Sequence, residues 1–117
     1  MRCSQVISNV DLDFQTRLIR NVPKPIPVSE SIASSAVVCA RQVNAAVVVS
    51  ITELGGTARL TAKYRPLVPV IGAVSSSQPQ TARQLALNFG IVPYCHSGSD
   101  VSYAYLYHFM SVVIVVW

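Results

Sequence analysis

Two valine-rich runs, "AAVVVSIT" and "VPVIGAV", flank the stretch "TELGGTARLTAKYRP", and no other feature constrains the fold so tightly. Neither run alternates apolar with polar residues, as expected of strands covered on both faces. Between them Gly55-Gly56 closes the first strand, Thr57 to Tyr64 has the spacing of a short helix, and Pro66 forbids its continuation. A strand, a short helix and a strand joined this closely predict a parallel crossover unit. The pattern then repeats. "SSSQP" reads as a loop, and Thr81 to Phe89 as a helix with Ala82, Leu85, Ala86 and Phe89 inward, stopped by a left-handed Gly90. "IVPYC" reads as a third strand, which Pro93 marks as an edge.

Two helices are expected upstream. Val6, Ile7, Val10, Phe14 and Leu18 fall at helical spacing between Val6 and Arg20. "NVPKPIPVS", with three prolines in five positions, then enforces an extended connector. Ser29 is the expected N-cap of the next helix, with Glu30 in its first turn. Ile32, Ala33, Ala36, Val37, Ala40 and Val43 form its apolar stripe. The predicted class is α/β, an open, mostly parallel sheet with flanking helices, incomplete at its C-terminal end. Residues 1–97 are the expected domain. Residues 98–117 are an apolar tail in which "SVVIVVW" reads as an extra strand.

Composition narrows the function classes. A chain of 117 residues suits one domain. It is 51% hydrophobic and only 12% charged, too apolar for disorder, and much of its surface is expected to face another domain or subunit. The net charge of +4 is spread along the chain without a basic run, which argues against nucleic acid. Cys3, Cys39 and Cys95 lie far apart and match neither zinc spacing nor a disulfide framework, so a reducing, cytoplasmic location is expected. "MRCSQVISNVD" lacks the apolar core of a secretory signal. The last seventeen residues carry one aspartate-free, amine-free stretch that is short for a membrane span and is interrupted by His108 and two serines. A tether through this tail is the alternative reading.

Candidate chemistry is sparse. The glycine junction would aim the free amides of Gly56, Thr57 and Ala58 outward at a helix start, beside the Thr57 hydroxyl, as an anion cradle does. Its spacing matches neither the P-loop nor the dinucleotide fingerprint, Glu53 and Leu54 argue against the cradle, and by pattern alone a plain tight turn is the stronger reading. Arg59, Lys63 and Arg65 could meet an acidic ligand, or form a solvated face or subunit salt bridges. Cys95 and His96 are adjacent on a strand and so face opposite ways, which rules out a nucleophile–base pair. Ser97 and Asp100 lie near His96 without a nucleophile-elbow context. The five scattered carboxylates offer no metal-ligand pair.

Three blocks, "SESIASSAV", "TELGGTARLTAKYRPLVPVI" and "TARQLALNFGIVPY", together resemble the C-terminal domain of pyruvate kinase in order and spacing, over about residues 22–95. "RCSQVISNVDLDFQ" is similar to that domain's first helix, with Ser4 in place of the usual glutamate. The resemblance implies glycolytic phosphoryl transfer from phosphoenolpyruvate to ADP in the full-length family, with magnesium and potassium. The catalytic lysine and metal ligands of that family lie on a (β/α)8 barrel that these residues do not include. No catalysis, cofactor or metal is therefore expected of this chain by itself.

The resemblance also implies two roles for the domain: packing against pyruvate kinase subunits or a second copy, and holding a sugar-phosphate effector. Thr52, Gly55, Gly56 and Thr57 match the phosphate-cradling positions, and Arg59, Lys63 and Arg65 are subunit-interface candidates. Glu53 and Leu54 depart from the basic or polar residues of effector-responsive members. A carboxylate about 4–6 Å from a phosphate repels it, so weak or absent sugar-bisphosphate control is expected.

Overall fold

A computed structural model describes residues 12–97 and 112–116. Helix α1 (Leu12–Asn21) leads through the proline connector to α2 (Val28–Gln42). Then follow β1 (Val47–Ile51), α3 (Gly56–Lys63), β2 (Val70–Ser75), α4 (Pro79–Ala86), β3 (Ile91–His96) and β4 (Val112–Val116). The sheet order is β3-β2-β1-β4. β1 pairs parallel with β2, and β2 with β3, as the two crossover units predict. β4 closes the other side of β1 in the antiparallel sense, with Val112 opposite Ile51 and Val116 opposite Val47.

One core holds these layers together. Ala40 of α2, Ala58 and Ala62 of α3, and Leu85 of α4 meet Val48, Val70, Val74 and Ile91 on one face of the sheet. Small residues on α2 and α3 let the helix backbones approach the strands closely. Gly72 shows how closely, because an added Cβ would lie 2.9 Å from Leu85 Cδ1 and 3.3 Å from Ile91 Cγ2. Burial alternates along β1, with Val48 and Ser50 inside and Val47, Val49 and Ile51 half-buried. Two-sided cover was expected there. Among the described residues α2, α3 and α4 all join the core on the same side, so only that face is fully enclosed.

Several boundaries differ from the expectations for local reasons. Residues 6–11 of the first expected helix lie outside the described residues, as do Ser97's neighbours from 98 to 111. In α1 the buried position belongs to Gln15, whereas Phe14 is exposed, because Gln15 Nε2 donates to the Arg65 carbonyl. Ser29 does not cap α2. Pro27 stands at the cap with φ −56° and ψ 145°, and its carbonyl accepts from Ser31 N at 2.9 Å, leaving Ser29 inside the first turn. Val43 falls one residue past α2 and is exposed. There the chain turns through Asn44 at φ +50°, and Ala45 N reaches back to the Ala40 carbonyl at 2.9 Å.

Helix α4 begins at Pro79, which suits a first helical position, and ends at Ala86. Its shorter length leaves Ala86 and Phe89 outside the core rather than inward. Gly90, at φ +73°, completes the turn into β3. Pro93 lies opposite Gly72 on an edge strand, where a missing amide is tolerated.

Candidate functional site

Thr52 continues the line of β1, its amide donating to the Ala73 carbonyl at 3.0 Å, and its side chain is buried. The chain then rises through exposed Glu53 and Leu54 and drops into α3 by way of Gly55, at φ +80°. Only glycine suits that position. The backbone is left-handed, and an added Cβ would lie 3.0 Å from Leu85 Cδ2 and 3.1 Å from Arg59 Nη2. Arg59 N makes the first intrahelical bond, to the Gly55 carbonyl at 3.1 Å. The amides of Gly56, Thr57 and Ala58 come before it, at the positive end of the helix dipole.

A cavity of about 280 Å³ opens at this helix start. Among the described residues its polar wall comes from Ser29, Thr52, Gly56 and Thr57, its apolar wall from Leu54 and Leu60, and Glu53 is the single charged residue at it. Thr52 and Thr57 are 4% and 3% exposed as residues. Thr52, Gly56 and Thr57 are thus brought together as the sequence pattern suggests. Gly55 sits behind them and sets the backbone. Ser29 was missed as a site residue. Its place depends on α2 crossing α3, which local sequence does not encode.

The three basic candidates do not converge. Arg59 Nη2 donates to the Leu54 carbonyl at 3.0 Å and to Gln84 Oε1 at 3.3 Å. Lys63 Nζ donates to Glu30 Oε1, which also accepts from the Tyr64 hydroxyl at 2.9 Å. The Arg65 guanidinium lies 4.2 Å from the centroid of the Phe89 ring, while its carbonyl accepts from Gln15. The Lys63 hydrogen bond, then that from Tyr64, holds the Glu30 carboxyl below its usual range. Burial, helped by Glu30, pushes the Tyr64 phenol up to about 12. None of the three basic residues lines the cavity.

The rest of the carboxyl edge is closed upon itself. Ser75 Oγ and Ser77 Oγ lie 2.9 Å apart, Gln78 N donates to the Ser75 carbonyl, and Ser76 N donates to the His96 carbonyl. Cys95 and His96 occupy successive register positions opposite Val74 and Ser75, hence opposite faces of the sheet. Asp100 lies outside the described residues. Among the described residues there is no group of three or more His, Cys, Asp or Glu side chains that could hold a metal ion. No helix among them is long and apolar enough to cross a membrane.

Comparison with known proteins places this architecture. Residues 30–114 match the family model described as the pyruvate kinase alpha/beta domain. The cytosolic isozyme of pyruvate kinase from Nicotiana tabacum is 36% identical over 109 residues, covering 83% of this chain and 22% of the tobacco protein. Pyruvate kinase from Dictyostelium discoideum is 38% identical over 85 residues, covering 70% of this chain and 16% of its own. A crystal structure of pyruvate kinase from Cryptosporidium parvum superposes with a TM-score of 0.76 at 37% identity, over 86% of this chain and 20% of that one. This chain therefore spans about a fifth of the length of such relatives. It belongs to the pyruvate kinase family, and what it matches is that family's α/β domain.

Proposed function

We propose that this chain serves pyruvate kinase as a regulatory and subunit-assembly domain and does not transfer phosphate by itself. What supports the reading is the site at the start of α3, where, among the described residues, helix amides and two threonines meet no lysine, no arginine and no cluster of metal-binding acids at the cavity. Such a site can hold an oxyanion. Phosphoryl transfer also needs positioned metal and base, for which the described residues at the cavity offer only Glu53. Supplied with phosphoenolpyruvate, ADP, magnesium and potassium, the purified chain is expected to form no pyruvate above a blank.

Thr52, Gly55, Gly56 and Thr57 are proposed as the effector seat. Glu53 contributes a negative charge at the cavity and Leu54 no hydrogen bond, so fructose 1,6-bisphosphate should show no saturable binding below the millimolar range. For assembly, the stretch from Ile32 to Val43, which includes most of α2, and the segment Arg59, Lys63 and Arg65 are proposed to meet a pyruvate kinase subunit or a second copy. Co-elution of this chain with a full-length pyruvate kinase subunit is the expected result, and separate elution at micromolar concentrations would remove the assembly role. A cytoplasmic location is proposed from the relatives named as cytosolic isozymes.

A further inference from the structure

We infer that α1 is a strap that lets go as a unit while the rest of the domain stays folded, and that its clasp is the hydrogen bond from Gln15 to the carbonyl of left-handed Arg65.

The helices are held unequally. α2 buries Ala33, Val37 and Ala40, α3 buries Ala58 and Ala62, and α4 buries Ala82 and Leu85. From Phe14 onward α1 buries one side chain among the described residues, and it is the polar Gln15. Phe14 is exposed, and Leu18 and Ile19 are only half-buried. Between Ile19 and the α2 residues Ser34, Ser35, Val38, Cys39 and Gln42 a cavity of about 240 Å³ stays open, so the two helices do not close upon each other there. An element that buries so little apolar surface opens more readily than the core it rests on.

The tie from α1 to α3 is polar and specific. Gln15 Nε2 donates to the Arg65 carbonyl. Arg65 presents that carbonyl from a backbone at φ +50°, which is unfavourable for a residue with a side chain. Two contacts hold it there without α1. Its amide donates to the Ala62 carbonyl at 3.0 Å, and its guanidinium lies 4.2 Å from the centroid of the Phe89 ring. The acceptor is thus set by α3 and the turn after α4, and α1 supplies the donor. Release leaves those contacts in place and takes Ile19 away from Ser34, Val38 and Cys39 of α2. On the reading of α2 as an assembly surface, a closed strap covers part of that surface and an open one offers it.

The test is native-state hydrogen exchange on the full 117-residue chain. It compares the amides of residues 16–21 with those of Val48 and Val70, which donate to the Pro69 and Gly90 carbonyls. The α1 amides are expected to exchange through an opening populated about tenfold or more above that of the two sheet amides. Gln15→Ala should raise the α1 opening about fivefold, as loss of one ordinary hydrogen bond does, with Val48 and Val70 changed by less than about twofold. Alanine is the better helix former, so this gain does not come from a weakened helix. Gln15→Leu keeps the bulk without the donor and should open α1 as well. A Gln15→Leu chain as protected as the parent would reduce the tie to packing and overturn the clasp. Equal opening of α1 and the sheet, α1 amides unprotected in the parent, or a sheet that loses protection in step with α1 overturns the strap. These outcomes are independent of assembly, which co-elution decides separately.

Discussion

The two ends of α3 are built on opposite principles. At its C-terminal end the polar groups are matched: Lys63 and Tyr64 share Glu30, the Arg65 carbonyl accepts from Gln15, and the Arg65 guanidinium covers Phe89. At the N-terminal end of this eight-residue helix, Thr52 and Thr57 line an open cavity. A matched network rigidifies and specifies packing, whereas the first amides of a helix keep their donors for solvent or an anion. The first end joins α1, α2 and α3 into one body, and the second end opens on the cavity.

The largest blow to this contrast should come from Tyr64→Ala. Tyr64 is 1% exposed, and removing its ring leaves a cavity and deprives Glu30 of a donor. A loss of about 3–5 kcal/mol in urea unfolding is expected. A loss below about 1 kcal/mol would show that this end is not the stabilising one. Gly72→Ala ranks next. Its new methyl would press on Leu85 and Ile91, for a cost of about 1–3 kcal/mol by the same measurement. Gly55→Ala should cost about 1–2 kcal/mol through its left-handed backbone. Unlike the Gly72 variant, it should also weaken phosphate binding out of proportion to that loss, because it displaces the turn that aims the amides.

A pH series separates the ends further. The Glu30 carboxyl is held below its usual range in the folded chain. Its contribution is therefore complete above the ordinary carboxyl pKa and is lost as pH falls through the depressed folded value. The Tyr64 phenol is raised to about 12. Its contribution is present below the ordinary phenol pKa of about 10 and disappears as pH rises from there through the folded value. Glu30→Gln should flatten the acid limb and Tyr64→Phe the alkaline one, both read from urea midpoints against pH. The smallest effect belongs to Ser50→Ala. Ser50 Oγ is fully buried without a hydrogen bond, so the variant should be as stable as the parent or gain up to about 1 kcal/mol.

The sequence disclosed the strands and turns because their signals are local. Valine runs, the glycine junction at 55–56, the left-handed glycine at position 90 and an edge proline at 93 each act within a few residues. It disclosed Thr52, Gly56 and Thr57 for the same reason, since one strand and one helix start suffice to place them. Ser29 at the cavity, Gln15 in the buried position of α1, and the separate partners of Arg59, Lys63 and Arg65 all depend on how α1, α2 and α4 lie against α3. Phe89 shows the limit most simply. Helical spacing predicts it inward, but the helix ends first and a guanidinium from another loop covers the ring.

The contrast between the two ends can be tested directly by titrating isotopically labelled protein with inorganic phosphate and following its backbone amide resonances. The account predicts saturable shifts at Gly56, Thr57 and Ala58, with Lys63 and Tyr64 unmoved. Shifts centred on Lys63 to Arg65, or none at the three amides, would contradict it.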